Sequence, residues 1–577
     1  MRLKSFFSSA GYLRLAFLFL LVALFLFSLF ANISHPLLWN DEGTTAVAGE
    51  RVLQYGYPKV HDGKNVLYDL NHPDYSIGID EKTDAFIADA NWAMYYVAAA
   101  GVWAASMTDD LYLKTAFIRF PFALAGFAGL VLLAWNACLF FRERKSRLNF
   151  LVAFSVLSLL SVPLVLHLRE VRYYSLLLFF LSLVIYIFSA HHIRRSITYL
   201  KYCLLLVPAL AALFLSFPPV FFMFCVDGAL FLFLLYLLQF YRNQKNGITV
   251  STNTRLILIA ALKAALPFTA AFILLLPALR YFKLFEMADT LSMYYGFNFE
   301  RYKENLVTVW DYLSVYDFLL AAIVLKATSL LPGRKAAGNP VSASLIKFSS
   351  FLSIVFIVHF FLIARIPTYI FIRYFIVLTP ILACIVLMDA AVIFSAIQKS
   401  SFRGKNIVKS VGIVVFLILL SGPVAVNSRN IREHWYESTH ENNGCLDFAV
   451  DFIKSKYKHT DSLVISTNYE EPVLMYYLHS KVIIGYIKNN LAEDTLLQPD
   501  IIIYRRGWAW RDDEKIFRDQ LAKASYDSVF FPVADYPVNT IAEIVTPSQG
   551  LGHLFRTQLT ENPAEQLKIY CRKNDFH

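Results

Sequence analysis

Apolar positions along this chain gather into long unbroken runs instead of alternating with polar ones. The first runs from Leu15 to Phe30, and others follow at about 116–141, 149–166, 173–190, 199–217, 219–240, 256–278, 314–331, 347–364, 371–396 and 410–426. Most reach the roughly 18 residues that let a helix rising 1.5 Å per residue cross a ~30 Å hydrocarbon layer. The pattern predicts an α-helical polytopic membrane protein with about eleven transmembrane helices.

Charge orients the spans. Arg2, Lys4 and Arg14 precede the first run, and no small-residue cleavage site follows it, only Asn32-Ile33-Ser34-His35-Pro36. It therefore reads as a retained anchor entering from the cytoplasm. The short loops 142–147, 191–201, 241–255, 332–347 and 399–409 then fall inside and each carry at least three Lys or Arg, while the outer turn Phe217-Pro218-Pro219 carries none. This is the positive-inside bias. An odd number of spans places residues 427–577 outside. The chain divides into a transmembrane unit, 1–426, with external loops 34–115 and 280–312, and a C-terminal extracytoplasmic unit, 427–577. In loop 34–115, Asn91–Met107 has the aromatic-rich composition of an interfacial helix. In the C-terminal unit, Leu446–Tyr457 and Glu470–Leu478 read as helices. Ser462–Ser466, Lys481–Tyr486 and Asp500–Tyr504 read as buried strands, which together predict a small α/β domain.

Composition agrees. Hydrophobic residues make up 57% and charged residues 17% of the 577, against roughly 45–50% and ~25% in soluble chains. Disorder, collagen-like structure and a small disulfide scaffold are excluded. The excess of 53 Lys and Arg over 43 Asp and Glu is largely accounted for by the inner loops, so nucleic acid is not an expected partner. Four of six cysteines lie in apolar runs. Cys445 and Cys571 lie in the C-terminal unit, where a disulfide is open chemically but not decided by spacing.

Candidate chemistry collects at the outer span ends. Asp41 and Glu42 follow the first span in Leu38-Trp39-Asn40-Asp41-Glu42-Gly43. A carboxylate at the water–lipid boundary can serve as general base for a hydroxyl, with partial desolvation raising its basicity. The plain alternative is a solvated acidic pair closing a helix. Arg169, Arg172, Arg365 and Arg373 lie outside, where topology disfavours positive charge. An arginine at membrane depth costs about 2.5–3.5 kcal/mol on insertion scales, and a lipid phosphate is a fitting partner for its planar fork. Snorkelling to headgroups, or pairing of Arg169 with Glu170, is the alternative. Asp227 is an intramembrane carboxylate that suits neutral burial or a polar cavity. Lys263 and Asp389 sit near enough to cytoplasmic ends to snorkel. His61-Asp62 and His72-Pro73-Asp74 are the only metal candidates and lack the usual ligand spacing, so neither metal nor other cofactor is expected. A Gly-rich phosphate loop and a nucleophile elbow are both missing, which speaks against a soluble nucleotide-sugar donor. No internal repeat or inverted pair of interrupted helices stands out, which speaks against a repeat-built transporter.

The stretch Trp39-Asn40-Asp41-Glu42-Gly43-Thr44-Thr45-Ala46, then Gln54-Tyr55-Gly56-Tyr57-Pro58, then Arg119-Phe120-Pro121 resembles the opening of the GT-C glycosyltransferases. It is most similar to bacterial relatives of protein O-mannosyltransferases and of lipid A aminoarabinose transferases. The resemblance continues through Arg169-Glu170-Val171-Arg172-Tyr173-Tyr174-Ser175-Leu176, Arg373-Tyr374 with Pro380, and Glu471-Pro472-Val473-Leu474-Met475-Tyr476-Tyr477. It implies a multi-pass glycosyltransferase of the bacterial inner membrane that uses a polyprenyl-phosphate-linked sugar. The acceptor would be a hydroxyl of a glycolipid, a cell-surface glycan or a protein. Asp41 would be the base, and Glu42 would position the acceptor or tune Asp41. Arg172 and Arg373, helped by Arg169, Arg365, Tyr173 and Tyr374, would hold the donor phosphate. The lipid tail would lie beneath loop 280–312, and the sugar would transfer with inversion. The polar segment Lys59–Ala90 stands where relatives carry a Pro-Pro-Leu, so the acceptor side is expected to differ. The rival functions are a lipid or glycan transporter and a non-catalytic envelope-assembly scaffold.

Overall fold

The structure, a computed structural model, describes residues 9–67, 78–87, 90–246, 250–286, 296, 298–330, 340–366, 370–399, 405–484, 494, 496–506, 513–536, 545 and 551–573. Helix α1 is Ser9–Phe30, α2 Asn40–Tyr55, α3 Trp92–Ala105, α4 Leu111–Cys138, α5 Arg144–Leu160, α6 Val162–Leu168 and α7 Tyr174–His192. Then come α8 Tyr199–Ser216, α9 Pro218–Lys245, α10 Val250–Tyr281, α11 Phe299–Tyr316, α12 Leu319–Leu330, α13 Pro340–Ile363, α14 Leu378–Lys399 and α15 Lys405–Val426. Among the described residues eight helices are long and apolar enough to cross a membrane, and three bent pairs raise the number to eleven. The chain is a multi-span membrane protein.

The bends are the main departure from the sequence reading, which took 149–166 and 314–331 as single spans. Helices α5 and α6 turn by 80°, α11 and α12 by 86°, and α15 and the following Ser428–Thr439 helix, α16, by 57°. Each break has a local cause. Pro163, just after Ser161, lacks the N–H that a continuous helix needs. Asp317 adopts an extended backbone and accepts the N–H of Phe318 on its own carboxylate at 2.8 Å, replacing a helical bond. Pro423 interrupts the end of α15, and Asn427 Nδ2 donates to the carbonyls of Pro423 and Tyr316. Ser161, Asp317 and Asn427 line one cavity of about 20 Å³, together with Thr379 and Phe375. That is room for one water, so the three breaks meet at one point. Helix α12 is about 18 Å long at 1.5 Å per residue, too short to cross alone. The span expected from 371 starts instead at Leu378, after a 3₁₀ turn, Ile372–Phe375.

The C-terminal unit holds helices α17, Cys445–Lys456, α18, Glu471–Leu478, and α19, Asp513–Ala522. A hairpin of β1, Ile79–Asp80, and β2, Ala85–Phe86, precedes α3. The C-terminal strands are β3 Val464–Thr467, β4 Lys481–Ile484, β5 Ile501–Ile503, β6 Tyr526–Ala534 and β7 Gln566–Arg572. They form one sheet in the order β4-β3-β5-β7-β6, with β3 parallel to β4 and β5, and β7 antiparallel to its neighbours. Strand β5 is buried throughout, as its unbroken Ile501-Ile502-Ile503 requires. Arg505, fully buried beyond β5, pairs with Glu470 and Asp535 and donates to Cys445 Sγ. Cys445 and Cys571 are separate buried thiols, with no disulfide between them.

This unit docks on the helices through α18, which packs on α2. A Cβ on Gly43 would lie 2.8 Å from Val473 Cγ2 and 2.9 Å from its backbone N, so only glycine permits that approach. Gly43→Ala should therefore lower thermal stability by about 1–3 kcal/mol, the usual cost of overpacking; an unchanged melting temperature would show that the two helices separate freely. Glu437 of α16 is the second anchor. Its carboxylate accepts from Arg169 at 2.8 Å, His553 at 2.9 Å and His434 at 3.1 Å.

Other polar residues also find their places. Asp389 does not snorkel: it is fully buried and pairs with Lys326 at 3.0 Å. Lys263 is exposed. Asp227 is fully buried, 4.0 Å from His359. Asp62 pairs with Arg51 at 2.9 Å and accepts the N–H groups of Lys64 and Asn65, a turn-stabilising set. His72-Pro73-Asp74 lie outside the described residues.

Candidate active site

Asp41 and Glu42 do not close α1; they open α2. Trp39 is the extended residue before that helix, and Glu42 reaches back to its N–H at 3.3 Å, as a capping carboxylate does. The unpaired N–H groups and dipole of a helix start favour negative charge. Successive helical residues point about 100° apart, and the two acids separate accordingly. Asp41 is partly exposed, at 27% of its side chain, while Glu42 is fully buried.

Glu42 is a bracket. Its Oε1 accepts Arg119 Nε at 2.9 Å and the backbone N–H of Val171 at 3.0 Å; its Oε2 accepts Arg119 at 2.5 Å. Arg119, buried within α4, also donates to the carbonyls of Ile33 and Pro36 at 3.0 and 2.8 Å. One ion pair thus fixes the approach to α2 and the turn between α6 and α7. In this geometry the expectation that Glu42 positions an acceptor does not apply: its oxygens are taken up by protein and no surface remains. It ties the start of α2, on which Asp41 stands, to Arg119 and Val171.

Arg172 lies in that turn, one residue after Val171. Its guanidinium is 3.5 Å from Asp41 Oδ2, and that of Arg373, from the 3₁₀ turn before α14, is 3.9 Å from the same oxygen. Burial weakens the proton affinity of Arg172, but Asp41 together with Tyr174 and Tyr173 holds the guanidinium above its usual value. Both separations exceed the ~2.7–2.9 Å of a tight charged bond. The two guanidinium groups share this one oxygen of Asp41, with side-chain exposures of only 18% for Arg172 and 13% for Arg373. Aromatic rings form the walls: Arg373 lies 4.2 Å from the Phe371 ring and 5.7 Å from Trp39, and Arg172 lies 5.7 Å from Tyr173. Tyr173 in turn stacks on Phe217 at 4.5 Å. Such a half-dry cluster of two cations with a carboxylate beside them suits an anion and can receive a proton next to it.

Of the remaining sequence candidates, Arg169 and Arg365 make none of these contacts with Asp41. Arg169 turns away to Glu437 and serves the docking of the C-terminal unit; it does not pair with Glu170, which bonds His167 at 3.0 Å. Burial opposes the charge on Glu170, but His167 together with Arg373 and Arg119 holds its carboxyl below the usual range. Arg365 is exposed just past α13. Tyr374 packs edge-on to Phe371, at 5.6 Å, and its phenol lies near that of Tyr173. Trp39, Phe371 and the part played by Arg119 were not anticipated. A lone arginine in the middle of the apolar α4 was the available signal.

No protein-family model matches the chain, and no curated protein matches it. Among solved structures it is similar to ArnT from Cupriavidus metallidurans, both bound to undecaprenyl phosphate and in the apo state. Each covers 98% of both chains at 12% identity, with a TM-score of 0.45. A likeness this distant fixes neither substrate nor activity.

Proposed function

We propose that this protein is an integral membrane glycosyltransferase of the GT-C kind. It transfers a sugar from a polyprenyl-phosphate donor to an acceptor hydroxyl on the extracytoplasmic face of a bacterial inner membrane. The observation that carries this reading is the meeting of Asp41, Arg172 and Arg373. A donor phosphate takes the two guanidinium groups from Asp41 and frees the carboxylate. The acceptor oxygen attacks C1 of the sugar from the face opposite the phosphate, inverting that centre. The C1–O bond breaks, and its electron pair passes to the phosphate oxygen, where both arginines stabilise the growing charge. The acceptor proton goes to Asp41. A phosphate is a good leaving group, so no acid catalyst is needed. The acceptor is a glycolipid, a cell-surface glycan or a protein, approached from the side of the C-terminal unit.

Arg172→Ala and Arg373→Ala should each raise the KM for the lipid donor by roughly 10- to 100-fold, the range for losing a hydrogen bond to a charged group. Donor titrations in proteoliposomes measure this, and unchanged donor dependence in both variants would remove the phosphate clamp.

The three broken spans favour a second reading, a lipid or glycan carrier, since carriers place their sites at interrupted helices. The two readings part on consumption. A transferase converts the donor to the bare polyprenyl phosphate when acceptor is present, whereas a carrier moves it intact, and mass spectrometry of the lipid tells them apart.

A further inference from the structure

Trp39 is only 4% exposed, and its ring lies 5.7 Å from the guanidinium carbon of Arg373. Its indole N–H is buried and has no hydrogen-bond acceptor among the described residues; the Nε–H of Arg172 is in the same position. Leaving a buried donor unpaired is costly, and buried indole N–H groups usually find partners. Both orphan donors belong to residues around Asp41: one precedes it by two positions, the other carries a guanidinium 3.5 Å from its carboxylate. The indole has no evident structural duty there. The start of α2 is capped through the backbone of Trp39 by Glu42, and Arg373 already rests on Phe371 at the shorter distance of 4.2 Å.

We propose that the indole N–H of Trp39 is a further phosphate-binding donor, which gives its hydrogen bond to an oxygen of the donor lipid's phosphate when that group enters between Arg172 and Arg373. The inference rests on the function proposed above. Phosphate is favoured over a sugar hydroxyl because two guanidinium groups face the site and the orphan groups of Trp39 and Arg172 both donate.

Trp39→Phe keeps an apolar ring and removes only the donor. Full-length protein in nanodiscs is titrated with undecaprenyl phosphate, and with the corresponding polyprenyl alcohol as control, by native mass spectrometry. Lipid-free melting is measured alongside. The variant should bind the phosphate about tenfold more weakly, the factor for ~1.4 kcal/mol, with the alcohol unaffected. It should melt at the wild-type temperature or above, because an unpaired donor has gone. Unchanged phosphate binding, or a lower melting temperature with equal loss for both lipids, would overturn the proposal, the latter by assigning Trp39 to packing. Should Arg172→Ala and Arg373→Ala weaken phosphate binding while Trp39→Phe does not, only the role of Trp39 falls. If the wild type itself does not prefer phosphate to alcohol, the proposed function falls with it.

Discussion

Asp41→Asn should abolish sugar transfer while leaving membrane insertion and melting close to wild type. The amide has nearly the shape of the carboxylate and sits in the first turn of α2 without buried partners of its own beyond the two loose arginine contacts. It cannot accept the acceptor's proton, and positioned general bases contribute roughly 10²–10⁴-fold to rate. The charge change has a second consequence. Without the carboxylate, Arg172 and Arg373 lose the anion they share, so a polyprenyl phosphate should bind the variant as tightly as wild type or more so. A mutation that kills turnover and preserves or improves donor binding is the signature of a base that competes with phosphate in the resting state. Near wild-type turnover would refute the base assignment, and weakened donor binding would refute the competition.

The second large effect lies in the bracket. Glu42→Ala or Arg119→Ala leaves one buried charge without its partner, since both side chains are at most 4% exposed. Breaking such a pair typically costs about 3–5 kcal/mol, a large share of the 5–15 kcal/mol that holds a typical domain. Both single variants should melt much lower than wild type. Replacing the two together by Leu and Met should recover much of that stability, because a packed apolar pair avoids the desolvation of two ions. Activity should stay low in the double variant, because the Val171 N–H loses its acceptor and the Arg172 turn is no longer tied to α2. Melting curves and turnover of the three variants test this. Restored turnover in the double variant would show that the pair only supports folding.

Much of the architecture is legible in the sequence because a membrane span is a matter of length and composition, and hydropathy records both. Direction is not recorded. The elbow at Asp317 depends on a carboxylate capturing the next N–H, and the one at Asn427 on a side chain bonding Tyr316, 111 positions earlier. Strands β3, β4 and β5 could be read because their apolar runs are short and dense. Strand β6, Tyr526-Asp527-Ser528-Val529-Phe530-Phe531-Pro532-Val533-Ala534, mixes exposed and buried positions irregularly and contains a proline, so its pattern matches neither period.

The site divides the same way. Asp41, Arg172 and Arg373 stand out as charges beside apolar spans, and the structure brings them together. The inward turn of Glu42 was hidden because it depends on where α2 begins, and adjacent acids share a motif without sharing a face. The place of Arg169 is not legible in the sequence because its partner, Glu437, lies 268 positions away. Nothing in the sequence marks Trp39 as part of the site; only its burial beside Arg373 sets it apart.

The most direct test is a cryo-electron-microscopy structure of the protein in nanodiscs with bound undecaprenyl phosphate. Density for the phosphate should bridge Arg172 and Arg373, with Asp41 released from both and facing the open side. Phosphate density at any other site, with Asp41 still held between the two arginines, would contradict it.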